Sequence, residues 1–146
     1  MVSVRMGRVL GLVAGGLVAC IALLVLAVFL TRDEDNLQAD NLLAERFTLE
    51  VARGGELDLR RIAPFEWDSV LLVAPGTPRA AISRRLGREW TGIDTVDGGD
   101  LLIFRLRDEV VRFADYRGLG RFEGFERPFD ELPPVLHAED GVITGT

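Results

Sequence analysis

The chain has no lysine and only one cysteine, one histidine and one tyrosine in 146 residues, and between Val9 and Leu30 it carries no charge of either sign. The single cysteine, Cys20, lies inside that uncharged run, so everything beyond it must fold by packing and hydrogen bonds without disulfides. Neither a reductant nor a chelator should unfold it. With one histidine, His137 in Pro133-Pro134-Val135-Leu136-His137, there is little from which to build a nucleophile and base pair. The only serines beyond the run are Ser69 and Ser83, neither in a nucleophile-elbow setting, so the chain is expected not to be an enzyme. The missing lysine, beside 17 basic residues that are all arginine, carries no chemical signal of its own. All 23 acidic residues and 15 of the arginines lie beyond the run, leaving that portion about eight charges negative. Nucleic acid is excluded as a partner, because phosphate neutralisation needs a net basic face.

The uncharged run is 22 residues long, and 14 of these are Leu, Ile, Val or Phe. As a helix it would extend about 33 Å, against a hydrocarbon core of roughly 30 Å. Each large apolar residue favours insertion by about 0.3–0.6 kcal/mol near the helix centre, which outweighs Gly11, Gly15 and Gly16. A transmembrane helix over 9–30 is therefore expected. Arg5 and Arg8 precede the run, whereas Arg32 and then Asp33, Glu34 and Asp35 follow it. This bias predicts a single-pass protein of the cell membrane, with residues 1–8 cytoplasmic and the C-terminal part extracytoplasmic. A cleaved signal peptide would need an apolar region of about 7–15 residues followed by a small-residue cleavage site, and the run near Leu30 offers neither. Leu17-Val18-Ala19-Cys20 is similar to a bacterial lipobox, which gives the alternative of a lipoprotein anchored at Cys20. Against it, the apolar residues Ile21 to Leu30 stand where a polar tether is expected. Gly11, Gly15 and Ala19 recur every four residues, a small-xxx-small face that suits self-association in the bilayer. The expected partners are thus the membrane lipid bilayer, a second copy of the span, and other membrane or envelope proteins.

Residues 31–41 are polar and acidic and read as a tether. The remaining 42–146 are enough for one domain with one core. Phe47, Leu49 and Val51 alternate with Thr48, Glu50 and Ala52, which predicts a strand, although Leu42, Leu43 and Arg46 would also suit a helix continuing the stalk. Ser69 to Ala74 is a continuous apolar run bounded by Asp68 and Pro75, the pattern of a central strand buried on both faces. Thr77 as N-cap, Pro78 at the first helical position and Gly87 after Leu86 predict a helix over 78–86, with Ile82 and Leu86 on its inner side. Leu101 to Arg107 and Val110 to Asp115 read as an antiparallel hairpin turning at Asp108-Glu109. Leu102, Phe104 and Leu106 would point inward from one arm, Val111 and Phe113 from the other. From Gly118 onward, isolated aromatics among glycine and proline predict an irregular wrap, ending in a mobile segment from Gly141. The expected class is α+β, an antiparallel sheet with one short packed helix following the transmembrane helix.

Trp67-Asp68-Ser69-Val70, Pro75-Gly76-Thr77, and Ile82 with Leu86-Gly87 resemble a pattern found in an uncharacterised family of small bacterial membrane-anchored envelope proteins. That family has an N-terminal hydrophobic segment and a W-D-x-V…P-x-T…I-x-x-x-L-G core. The likeness spans Phe65 to Asp115 and takes in Trp90, Ile93 and Leu101-Leu102-Ile103-Phe104. The chain departs from the family at Gly76, where an aromatic is frequent, and at Asp108-Glu109, where the turn is often Asp-Gly. The resemblance implies a membrane anchor and a structural core, and it brings no catalytic residue. The spacing from Thr77 to Gly87 is also similar to the helix of small envelope lipoproteins that share a helix-then-antiparallel-sheet fold with β-lactamase inhibitor proteins, which implies the same α+β class.

Two clusters invite a functional reading. Arg79, Arg84, Arg85 and Arg88, on and just after the expected helix, form a basic patch suited to an anionic headgroup or cell-wall polymer, or to pairing with local acids in solvent. Asp94, Asp97 and Asp100 offer carboxylates, but Asp94-Thr95-Val96-Asp97-Gly98-Gly99-Asp100 has the composition of a turn and not the spacing of an EF-hand, so no metal or other cofactor is expected. Trp67-Asp68 reads as a packed aromatic beside an N–H acceptor rather than a stacking site for a ligand. The function expected is a binding or assembly module of the bacterial envelope, with an extracytoplasmic sensing domain for an anionic component as the alternative.

Overall fold

A computed structural model describes residues 18–24, 26, 39–93, 95 and 98–146. The chain divides into two units, Met1–Asn36 and Leu37–Thr146. In the first, residues 18–24 are helical, and Val18, Ile21, Leu23, Leu24 and Leu26 are exposed, as is Cys20. No helix among the described residues is long and apolar enough to cross a membrane. Most of the expected 9–30 span, Gly11 and Gly15 among it, lies outside the described residues, as do residues 31–38, Asp94 and Asp97.

The second unit is α+β. Its first element is a helix, α1 (Asn41–Arg53), where the alternation of Phe47, Leu49 and Val51 predicted a strand. The deciding pattern is longer: Leu43, Phe47 and Val51, at i, i+4 and i+8, are its buried residues and form one stripe. Asp40 caps the start, its Oδ1 accepting from the Leu43 N–H at 3.0 Å, and Gly54 closes the end at φ 72°.

The elements that follow are β1 (Gly55–Asp58), α2 (Leu59–Ile62), β2 (Ser69–Val73) and α3 (Arg79–Leu86). After them come β3 (Asp100–Leu106), β4 (Glu109–Tyr116), β5 (Arg121–Phe122), β6 (Phe129–Glu131), β7 (Val135–Glu139) and β8 (Val142–Gly145). They make two four-stranded sheets, ordered β4-β3-β2-β6 and β1-β7-β8-β5, where a single sheet was expected. All pairings are antiparallel except β5 with β8.

The first sheet is buried on both faces, as the unbroken apolar run of β2 predicted. Val70 and Leu72 of β2, with Leu102 and Phe104 of β3, join α1, α2 and the second sheet in the larger core. Leu71 and Val73, with Leu101, Ile103 and Phe113, face the other way under Ile82 of α3 and Trp90. The period of two along each strand thus serves two cores at once. Helix α3 falls where it was expected, with Gly87 left-handed at its end. Thr77, however, is not its cap. That side chain is buried and donates to the Ala74 carbonyl at 2.6 Å, and Pro78 occupies the cap position without a side-chain bond.

The β3–β4 hairpin pairs as expected but turns one residue earlier, at Arg107 (φ 52°) and Asp108 (φ 65°). Two residues with positive φ match the twist of a two-residue hairpin. Arg105 pairs with Val110 and Phe104 with Arg112, so Val111 is an extra residue in β4. This bulge leaves Val111 outward and exposed, not in the core as alternation predicted.

The tail is also more regular than expected. Its second half is the β7–β8 hairpin, turning at Asp140 (φ 49°) and Gly141 (φ 75°), with Leu136, Ala138 and Ile143 in the core. The segment from Gly141, expected to be mobile, is the paired strand β8.

Candidate functional site

Helix α3 and the turn after it hold Arg79, Arg84, Arg85 and Arg88 on the surface. Arg85 lies 3.7 Å from Glu131, a carboxylate that also pairs with Arg105, and Arg88 pairs with Glu109. Arg79 and Arg84 have no ion-pair partner among the described residues. Two of the four arginines are therefore tied to the first sheet through acids on β6 and β4. Exposed pairs of this kind contribute about 0–1 kcal/mol each. Arg105 Nε is buried and has no hydrogen-bond partner among the described residues.

The other candidate residues are engaged structurally. Ser83 Oγ donates to the Arg79 carbonyl at 3.1 Å and accepts from the Trp90 N–H at 2.9 Å, tying the loop after α3 to the helix. Trp67 is buried, with Nε1 donating to the Ala63 carbonyl at 2.9 Å, and Asp68 Oδ2 accepts from the Arg107 N–H at 2.8 Å. Asp68 therefore braces the positive-φ hairpin turn, and that backbone donor holds its carboxyl below the usual carboxylate range. His137 is exposed on β7, with Nε2 3.9 Å from Glu139. Asp100 accepts from Arg127 Nη1 at 2.8 Å. No group of three or more His, Cys, Asp or Glu among the described residues is placed to hold a metal.

Tyr116, at the end of β4, donates from its hydroxyl to the Leu119 carbonyl. Burial, with a smaller contribution from the Asp100 charge, pushes its phenol up to about 12.

A cleft of about 230 Å³ opens beside the N-terminus of α1, lined by Asp40, Leu42, Leu43, Arg46, Pro64, Phe65 and Arg112. The Val111 bulge helps to explain it. Because Arg112 pairs with Phe104, it stands on the face of β4 that borders the larger core, on an edge strand whose outer side is met at Phe113 by Ala39 and by the Asp40 N–H. Its guanidinium lies 4.5 Å from the Phe65 ring centroid and donates from Nη1 to Asp40 Oδ2 at 3.0 Å. Phe65 in turn packs edge-on against Phe104. Asp40 divides its two oxygens between the helix cap and Arg112. The second arginine, Arg46, sits one turn along α1 from Leu42 and makes no ion pair with a described residue. Sequence pattern alone missed this group, although Asp40 ahead of the 43/47/51 stripe is a readable helix start.

No protein-family model matches the chain, and no curated protein or solved structure matches it.

Proposed function

We propose that this is a single-pass protein of the bacterial cell membrane that holds a small α+β binding or assembly module outside the cytoplasm. The observation that carries the reading is the uncharged run Val9 to Leu30, with positive charge before it and acidic charge after it. The described part of that run supports it. Residues 18–24 are helical and leave Val18, Ile21, Leu23 and Leu24 exposed, as suits side chains met by lipid rather than by protein. Binding is favoured over catalysis because Ser83 is committed to backbone partners, and the group beside Ser69 is the Asp68 carboxylate, which is itself held by the Arg107 N–H in the hairpin turn.

Two measurements on protein made in a bacterial host test this: intact mass after membrane extraction, and protease accessibility of the domain in spheroplasts. Full-length mass with cleavage from outside is the expected result. A mass that begins at a diacylated Cys20 would replace the span with a lipid anchor, and protection of the domain in intact spheroplasts would reverse the orientation. Crosslinking in membranes should then capture one defined partner, or a second copy if Gly11, Gly15 and Ala19 form a contact face.

A further inference from the structure

The cleft at the start of α1 combines an apolar lining with two cations, in a part of the chain whose overall charge is strongly negative. Leu42 and Pro64 are exposed in it and Phe65 is half-buried, so apolar surface is left facing a concavity. Arg112 is held from two sides, by Asp40 at 3.0 Å and by the Phe65 ring at 4.5 Å. Among the described residues only one of its five N–H donors is used. Arg46, across the same cleft, adds a second guanidinium, so two positive charges face the single negative charge of Asp40. A planar guanidinium fixed by stacking and by one ion pair presents its remaining donors in a set direction, the arrangement that recognises a carboxylate in fork geometry. The volume, about 230 Å³, is below the roughly 300–1,000 Å³ of sites for drug-sized ligands.

The geometry points to a binding site for a small aromatic or branched aliphatic carboxylate, with its apolar body against Phe65, Leu42 and Pro64 and its carboxylate between Arg46 and Arg112. This gives the binding module proposed above a ligand class, and its biological meaning rests on that reading. The site itself is built wholly from the folded unit and does not depend on the membrane topology. Arg46 and Arg112 act differently. Arg112 is pre-placed and sets direction, while Arg46, on the exposed side of α1, closes over the carboxylate. Asp40 couples the site to the fold, because the carboxylate that steadies Arg112 also caps α1.

Benzoate is the probe, titrated into full-length protein in nanodiscs of zwitterionic lipid and read by the side-chain Nε–H signals of Arg46 and Arg112 and the amides of Leu42 and Leu43. The expected result is saturable shifts at these four residues with a Kd on the order of 0.1–1 mM. Benzyl alcohol, which lacks the charge, and sulfate, which lacks the apolar body, should give no saturation. Arg46→Gln should weaken benzoate about tenfold while leaving the tryptophan emission unchanged. Should that variant fail to fold, Leu42→Asn removes apolar surface at an exposed position and should weaken benzoate without touching either arginine. Absence of saturation at 10-fold the expected Kd, an equal response to sulfate or to benzyl alcohol, or an unchanged Kd in Arg46→Gln would each overturn the assignment. Because the topology is measured separately by mass and protease accessibility, a failed titration leaves the membrane reading standing, and a lipid-anchored form that still binds benzoate would leave the site standing.

Discussion

Whether Phe47 to Val51 is helix or strand can be decided by two alanine substitutions, because the two geometries assign opposite roles to Leu49. In a strand, residues 47, 49 and 51 share one face and Leu49 would be as buried as its neighbours. In α1, Phe47 is 1% exposed while Leu49 is 61% exposed. Phe47 packs edge-on against Tyr116 at 4.8 Å between ring centroids and lies nearly parallel to Phe122 at 6.1 Å. Phe47→Ala removes these contacts and leaves a cavity in the larger core, a change that costs about 3–5 kcal/mol. That is a large share of the roughly 5–15 kcal/mol available to a domain of this size. At about 4 °C per kcal/mol, the midpoint should fall by about 12–20 °C. Leu49→Ala deletes a mostly solvated side chain and substitutes a better helix former, so its effect should stay within about 1 kcal/mol. Trp67 and Trp90 are both buried in the folded unit, so the red shift of tryptophan emission with rising urea or temperature reports its unfolding in the full-length protein. A Leu49→Ala cost comparable to that of Phe47→Ala would refute the helical assignment and the placement of α1 in the larger core.

Three further outcomes follow from local geometry. Asp108→Gly relieves a positive φ in the β3–β4 turn and should raise stability by about 0.5–1 kcal/mol in the same unfolding assay; a loss would mean that the turn is not of this type. The lowered pKa of Asp68 contributes stability that is complete above the ordinary aspartate value of 3.8 and is lost as pH falls through its lower folded value. Asp68→Asn should therefore be less stable than the parent at neutral pH, with the gap closing in that acidic window; a pH-independent gap would contradict the assignment. Tyr116 is the only tyrosine, so its ultraviolet titration is unambiguous: ionisation should occur near 12 rather than 10. Because that value is raised, the associated stability is complete below pH 10 and is lost as pH climbs toward 12, and a midpoint near 10 would show that the phenol is not buried as described.

The parts of the fold that were legible are those in which neighbouring residues decide the structure. The apolar run of β2 is bounded by Asp68 and Pro75 and admits no outward face, and it proved to be buried on both sides. Gly87 ended α3 where only a left-handed residue fits. The errors came from windows that were too short. Six residues around Phe47 alternate as a strand does, but the stripe from Leu43 to Val51 spans nine and has helical spacing. In the tail, the Asp140-Gly141 pair lies between Leu136, Ala138 and Ile143, a hairpin signal that the irregular aromatics before it obscured.

The surface chemistry was less legible because it depends on register across the sheets. The arginines of α3 could be grouped from sequence, since a helix places neighbours by counting, but the acids that meet them, Glu131 and Glu109, come from β6 and β4. The cleft is harder still. Asp40 and Arg112 are 72 residues apart, and nothing near either names the other. Their meeting depends on Val111 being an extra residue: a regular ladder continued from Val110 opposite Arg105 would set Val111 opposite Phe104 and turn Arg112 to the other face of the sheet, away from Phe65. A single inserted residue thus decides whether a guanidinium stacks on an aromatic at the mouth of the larger core or lies on the face that α3 covers. Side-chain period predicts faces only where the pairing is regular, and bulges are favoured at sheet edges and beside binding sites, where they re-aim a side chain. The residues that make the cleft are therefore those a periodicity argument reads wrongly, and Val111, assigned inward by alternation and found outward, was the trace of it.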